Sequence, residues 1–523
     1  MPPVIRNPVL PGSHPDPSIV RVGADFVVAT STFEWSPGVR LHGSRDLRTW
    51  TDLGGVLDST RLLDLTGVPD SGGVWAPNLS HVDGLFHLVY SNVSAYTDGF
   101  ADAPNYLTTA ASIDGPWSDP VLLHARGFDA SLFHDGPDSW LLNLVHDWRP
   151  GHGGSAGLEV TRFDRATRTL VGEPAFVELP ADGTWIEGPN LYRRGDWYYL
   201  VTADGGTGYE HQVRVARSRT LTGPYVRDPH GPLITARDHP DLPLQKAGHG
   251  SLVQTEAGDW YLAYLVARPH GRHGPCILGR ETALAVVTWT DDGWPRTATG
   301  LPEIEVPALL DDAPPPDGPA GRLGPEWSTL RRPATDDWLT VDGDRITLRG
   351  GRSPQSLVGP SLLAQRITAP RCSFEATVDY RPRAFQHLAG ITTYYNSRNW
   401  MFLHVTTNDV GDPFLRLAVC DHGVVTNHED RSEKLYGPVL TLGLDLDGPD
   451  IRFRRDTGDG WNRFSPTLDA TILSDEHAVE LHDGRPRAMG FTGAFVGLWA
   501  WDLTGAGHPA TFTKVSYQPA QVE

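Results

Sequence analysis

Cysteine is nearly absent from this chain: 523 residues hold only Cys276, Cys372 and Cys420. Such an odd, scattered set is no disulfide framework, and no Cys-x-x-Cys pair offers a zinc site. Basic residues are also few, with 44 Lys and Arg against 64 Asp and Glu, for a formal net charge of −20. Phosphate binding needs clustered Lys and Arg, so a nucleic-acid partner is excluded. The same balance gives no reason to expect an anionic substrate, and its plain effect is solubility. No apolar run approaches membrane-spanning length, so no membrane partner is expected. The opening, Met1-Pro-Pro-Val-Ile-Arg-Asn-Pro8, has no apolar leader core and no cleavage-like site. Together with the scarce cysteine this makes a reducing cytoplasm the expected location. No long amphipathic helix is evident.

Aromatics, in contrast, are plentiful: 17 Trp, 15 Tyr and 17 Phe. Burying large rings is their usual role. They also suit sugar binding, because the C–H face of a pyranose stacks on a ring. A chain this long exceeds one ordinary core, so two domains are expected.

Five stretches read as copies of one unit. They are Asp16-Pro-Ser-Ile-Val, Ala76-Pro-Asn-Leu-Ser, Asp129-Ala-Ser-Leu-Phe, Glu187-Gly-Pro-Asn-Leu-Tyr and His249-Gly-Ser-Leu-Val. Each leads into a polar turn and an aromatic strand, as in Asp83-Gly-Leu-Phe86 and Gly195-Asp-Trp-Tyr-Tyr199. They recur at intervals of roughly 50 to 60 residues, the range of a propeller blade with long loops. A weaker repeat lies further into each unit: Ser44-Arg-Asp-Leu-Arg-Thr-Trp50, Ser112-Ile-Asp-Gly-Pro-Trp117 and Ser218-Arg-Thr-Leu-Thr-Gly-Pro-Tyr225. A Ser/Asp turn closing on an aromatic suits the outer hairpin of a blade.

The pattern predicts an all-β chain, a five-bladed β-propeller followed by a C-terminal β-sandwich. The propeller is expected over residues 1–305. Residues 306–325, including Asp311-Asp-Ala-Pro-Pro-Pro-Asp-Gly-Pro, form a strand-breaking linker. Residues 326–523 return to short strands between Gly/Asp turns, such as Arg345-Ile-Thr-Leu-Arg and Cys372-Ser-Phe-Glu-Ala-Thr-Val, which suggests the sandwich.

Blades surround a common axis, so equivalent positions face one central space. Asp16, Asp129 and Glu187 are thereby expected at one pocket. Any one of them alone reads as a turn or strand-start residue; together they are the equipment of glycosidic hydrolysis. That chemistry needs one carboxylic acid to protonate the leaving oxygen and a second carboxylate opposite it. A third acid can raise the first one's pKa by like-charge repulsion. His249 shares the column, and four readings stay open for it. These are a sugar hydrogen bond, support of a carboxylate, a ligand for a cation on the axis, or a buried histidine satisfied by backbone. Arg280, in Leu278-Gly-Arg-Glu-Thr, is the best basic candidate.

His14-Pro-Asp-Pro-Ser, Trp75-Ala-Pro-Asn, Phe128-Asp-Ala-Ser, Ile186-Glu-Gly-Pro, Gly248-His-Gly-Ser and Leu278-Gly-Arg-Glu-Thr together resemble glycoside hydrolase family 43. The likeness is greatest to its two-domain β-xylosidases, and it extends to Phe491-Thr-Gly-Ala-Phe-Val-Gly near the C-terminus. The resemblance implies inversion of configuration, with Asp16 as general base, Glu187 as general acid and Asp129 tuning and orienting Glu187. It implies a sugar pocket walled by Phe33, Trp75, Phe128 and Phe491, with Arg280 and His249 inside and Arg61 on the leaving-group side. Asn78 and Thr207 complete the substrate-binding candidates. Relatives often carry a Lys shortly before the segment matching Asn105-Tyr-Leu-Thr-Thr; here the stretch is Gly99-Phe-Ala-Asp-Ala-Pro-Asn. No metal or cofactor is expected. The implied substrate is a β-1,4-xylo-oligosaccharide cut from its non-reducing end, with α-L-arabinofuranosidase side activity, by a homo-oligomer. The rivals are an arabinan- or galactan-directed propeller enzyme and a non-catalytic xylan-binding lectin. A fructosidase of similar fold is disfavoured because its Trp-Asn-Asp-Pro-type motif is missing.

Overall fold

The computed structural model describes residues 3–97, 100–149, 152, 154–180, 183–319 and 323–520. Five antiparallel sheets, each built from strands in sequence order, form the blades of the N-terminal domain; the first blade is interrupted by the short strand Trp35–Ser36. Their innermost strands are Ser18–Val22, Gly73–Val82, Ser131–Asp135, Ile186–Arg194 and Gln245–Gln254. The aromatic runs are the second strands: Asp25–Thr30, Leu85–Val93, Asp138–Asp147, Trp197–Asp204 and Trp260–Ala267. Their rings pack between blades, as Tyr199 and Tyr264 do in the core shared by the last two. The weaker repeat falls between third and fourth strands. At Ser44–Trp50 the turn is knitted by its own side chains: Leu47 N–H donates to Ser44 Oγ and Arg48 N–H to Asp46 Oδ1.

The ring of blades closes through a separate two-stranded ribbon, Val4–Arg6 against Glu305–Pro307. Val9 and Leu10 N–H groups also reach the Thr282 carbonyl of the fifth blade. Ile5, Leu10 and Val306 then share one apolar cluster with Phe26 of the first blade and Tyr261 of the last. The expected linker therefore begins inside that ribbon. Beyond it the chain follows the first blade, with Pro316 against Gly43 and Arg48 paired with Asp312.

The C-terminal domain is two packed antiparallel sheets around Phe374, Leu403, Leu444, Phe453, Leu498 and Phe512. The edge of one sheet extends beyond the domain. Trp327–Leu330 pairs with Trp35–Ser36 of the propeller, so the two domains share a sheet. Trp35 stacks on Phe495 of the sandwich at 3.9 Å. Beside this seam Arg331 Nη2 donates to Asp70 Oδ1 at 2.6 Å, both groups being buried. A seam with a shared ladder, stacked rings and a paired buried charge holds the domains in a fixed relation. Among the described residues no helix is long and apolar enough to cross a membrane.

Candidate active site

Just before each inner strand or within its first half, the equivalent residue adopts the left-handed region: Asp16 (φ 56°), Ala76 (30°), Asp129 (55°), Gly188 (56°) and His249 (45°). The ladder slips at this point in three blades, between Trp75 and Asn78, Glu187 and Asn190, and Gly248 and Ser251. The kink turns these side chains toward the axis. It also corrects the expected column. In the fourth blade the equivalent residue is Gly188, and Glu187 sits one step earlier, level with Trp75 and Phe128. A one-residue step along a strand changes the face to which a side chain points. Gly188 is needed because a Cβ there would lie 3.0 Å from the His249 imidazole. Gly248 is needed likewise, since its Cβ would collide with the ring of His211.

Above these strand starts opens a cavity of about 660 Å³. Asp16, Asp129 and Glu187 line it together with Phe33, Trp75, Phe128, Phe491, Thr207, His249 and Arg280. Asp16 accepts from Ser31 Oγ at 2.6 Å and from Arg280 Nη1 at 3.3 Å, with His249 Nδ1 at 3.5 Å. Burial alone would raise its carboxyl; Arg280, His249 and Ser31 outweigh burial and hold it below the usual aspartate range. Among the described residues Glu187 has no such cation contact, and it accepts the Trp185 indole N–H at 2.6 Å. Burial first, then the charge of Asp16, push it up to about 7, against the opposing pull of Trp185. Asp129 is carried well above its ordinary value by burial and by the charges of Glu187 and Asp16. It accepts the Gly188 N–H at 3.1 Å, so it fixes the backbone next to Glu187. Two carboxyls with pKa values driven apart in one cavity are an acid–base pair.

Arg280 is almost fully buried, donates to Thr207 Oγ1 at 2.8 Å, and lies 4.9 Å from the ring of Phe491 and 5.5 Å from that of Phe33. Burial holds the His249 imidazole below the usual histidine range, with Asp16 opposing and Arg280 adding to the depression. The aromatic wall is continuous, with Phe491 5.9 Å from Phe33 and 5.5 Å from Trp75, and Trp75 5.4 Å from Phe128.

Two expected residues lie elsewhere. Asn78 is two positions past the kink. It belongs to a hydrogen-bonded ring beneath the acids, with its amide bonded to Asn190 Oδ1 at 3.3 Å and its carbonyl oxygen accepting Leu132 N–H at 2.9 Å. It ties three blades together and is not part of the cavity's lining. Arg61 points away from the cavity, paired with Asp119 and bonded to the Trp117 carbonyl on the outer part of the second blade. Sequence reading missed Trp185, His211, Tyr96 and the rim formed by His146, Asp147, Trp148 and Arg149, and also Ser31, which bonds Asp16 from behind the lining. Trp185 had a signal, since it sits two residues from Glu187 and strand alternation puts both on one side. His146 and Asp147 end the second strand of the third blade, and the others come from loops with no repeat.

A model of glycosyl hydrolases family 43 matches residues 5–295, and one of the beta xylosidase C-terminal concanavalin A-like domain matches residues 319–518. The chain is 39% identical over 542 residues to Xylosidase/arabinosidase 43B of Humicola insolens, spanning 99% of this chain and 98% of that protein. It is 38% identical over 538 residues to Xylan 1,3-beta-xylosidase of a Vibrio species, spanning 98% of this chain and 99% of that one. The crystal structure of a xylan beta-1,4-xylosidase from Bacillus halodurans C-125 superposes with a TM-score of 0.93 at 41% identity, covering 98% of this chain and all of that one.

Proposed function

This chain belongs to glycosyl hydrolase family 43, matched over both of its domains, and on that premise we propose that it is an inverting exo-acting β-D-xylosidase. Its substrate is a xylo-oligosaccharide cleaved at the non-reducing end, with α-L-arabinofuranosidase side activity. The observation that carries this reading is the pairing, in one aromatic-walled cavity, of a carboxyl held below the usual range at Asp16 with one raised to about 7 at Glu187. The terminal xylose stacks among Phe33, Trp75, Phe128 and Phe491, and Arg280 and His249 hydrogen-bond its hydroxyls. Glu187 gives its proton to the glycosidic oxygen while Asp16 takes one from a water on the opposite face. The transition state is oxocarbenium-like, no covalent intermediate forms, and the new hydroxyl carries the opposite configuration. Asp129 holds Glu187 in place through the Gly188 peptide. Arabinofuranose fits the same machinery because its hydroxyls and leaving oxygen can be similarly placed, and a relative named for both activities supports it.

Proton NMR during early hydrolysis of an aryl β-xyloside tests the mechanism. The α-anomer of xylose is expected first, and initial β-xylose would remove Asp16 from the base role. Parallel assays on an aryl arabinofuranoside and on 1,4- and 1,3-linked xylobiose fix the sugar and linkage preference. A homo-oligomeric state and a cytoplasmic location belong to the same reading. Three buried, unpaired cysteines agree with a reducing compartment. Light scattering and cell fractionation test these two points.

A further inference from the structure

Ser71 is fully buried in the connection between the first and second blades, and every polar atom it has is used across a boundary. Its N–H donates to Glu34 Oε2 at 3.0 Å, and its carbonyl accepts the Trp75 indole N–H at 2.7 Å. Its hydroxyl donates to the Met489 carbonyl at 2.8 Å and accepts the Phe491 N–H at 3.2 Å. Those last two partners belong to the sandwich. The residue before it, Asp70, is equally committed, with Arg331 Nη2 at 2.6 Å and Ser397 N–H at 3.1 Å on its carboxylate. Ser71 also adopts φ 59°, a left-handed conformation that glycine or asparagine would take more cheaply. Loop 489–491 makes few other polar contacts to the propeller: Met489 N–H to Tyr96 Oη at 3.2 Å, and a long one from Arg280 Nη2 to the Phe491 carbonyl at 3.4 Å.

We infer that Ser71 is the positioning residue for sugar binding in this pocket, its hydroxyl setting the sandwich's Phe491 against Trp75 and Arg280. One serine thereby fixes two walls of the same pocket, Trp75 through its carbonyl and Phe491 through its hydroxyl. Removing the hydroxyl alone frees Phe491 and leaves Trp75 tied. The consequence is confined to binding, because none of the three acids touches Ser71.

The inference rests on the reading of this cavity as a sugar pocket, and the experiment separates the two. Ser71→Gly removes the hydroxyl with its methylene, suits φ 59° and keeps both backbone bonds. Its KM for xylobiose and its dissociation constant for xylose, by calorimetry, are expected to rise roughly tenfold, the scale of losing two ordinary hydrogen bonds. Its kcat should stay within about twofold of wild type, as for a loss of uniform binding. In a Phe491→Ala background the same substitution should have almost no further effect, since the side chain it positions is gone. Ser71→Ala, strained at this φ, should show the same KM change with lower thermal stability, so a folding defect in either variant is told apart from loss of positioning. Wild-type KM and xylose affinity in folded Ser71→Gly, or an undiminished effect in the Phe491→Ala background, would overturn the inference. A wild-type protein inactive on xyloside and arabinofuranoside alike would instead overturn the proposed function.

Discussion

The two domains contribute different things to one cavity. Among the described residues lining it, the propeller supplies every ionisable group, and the sandwich supplies Gly484, Pro486, Met489 and Phe491. Reactivity thus comes from the repeated part of the chain, and enclosure from the part without repeats. The reason is geometric. Five-fold repetition delivers several side chains to one axis at fixed spacing, which suits acids that must face each other. It leaves a bowl walled by Phe33, Trp75 and Phe128, and Phe491, from outside the repeat, completes that wall. Phe491 and Phe495 show the division at close range: Phe491 faces the cavity, and Phe495, 1% exposed, stacks on Trp35 in the seam.

The largest expected effect lies on the propeller side. Asp16→Ala should cut kcat on every substrate by roughly 10²- to 10⁴-fold, because no other group activates the water. Retained turnover on aryl xylosides would mean that the base lies elsewhere. Glu187→Ala should lose a similar factor on xylobiose but far less on an aryl glycoside whose leaving group needs no proton. Equal losses on both substrates would break the acid assignment. The acid works protonated and the base ionised, so wild-type kcat should fall as pH rises through about 7 and also below the usual aspartate range. The basic limb should vanish in Glu187→Ala assayed on the activated substrate.

On the sandwich side the two phenylalanines should separate stability from binding. Phe495→Ala is expected to cost about 3–5 kcal/mol, the range for emptying a buried aromatic site. Denaturant melts would read it as a lowered midpoint. Phe491→Ala should melt near wild type, with a raised KM on xylobiose and looser exo selectivity. A reversed pattern would mean that Phe491 is the structural member of the pair. The smallest effect is expected from Trp185→Phe. The indole N–H stabilises the ionised form of Glu187, so its loss should move the basic limb to higher pH. A limb that stays in place would leave Trp185 with only its packing against Gly154.

Much of this was legible before any coordinates. Asp16, Asp129 and Glu187 are visible as acids within a repeated motif, and the aromatic second strands follow from their alternation. The register of the fourth copy was also legible, against the expected column. Gly188-Pro-Asn-Leu repeats Ala76-Pro-Asn-Leu, which puts the glycine and not the acid on the column, and the left-handed φ at Gly188 agrees. Asn78 and Arg61 were misplaced for other reasons. A motif tells which residues are near a site, but two steps along a strand separate a pocket wall from the ring beneath it. An arginine in a long loop can also choose a nearby acid such as Asp119. Ser71 carried no signal at all, because its partners Glu34, Met489 and Phe491 are far apart in the chain.

The sequence by itself determined the strand content, the number of blades, the linker's neighbourhood and the acids that share an axis. Each of these depends on local periodicity or on a repeated unit, and both are written along the chain. Tertiary structure alone decided which carboxyl is ionised, which aromatic closes the pocket, and that Trp35–Ser36 joins the sandwich sheet. Those outcomes depend on burial and on contacts between distant segments. The pKa gap between Asp16 and Glu187 comes from Arg280 lying beside one carboxyl, while burial, only partly offset by the Trp185 indole, raises the other.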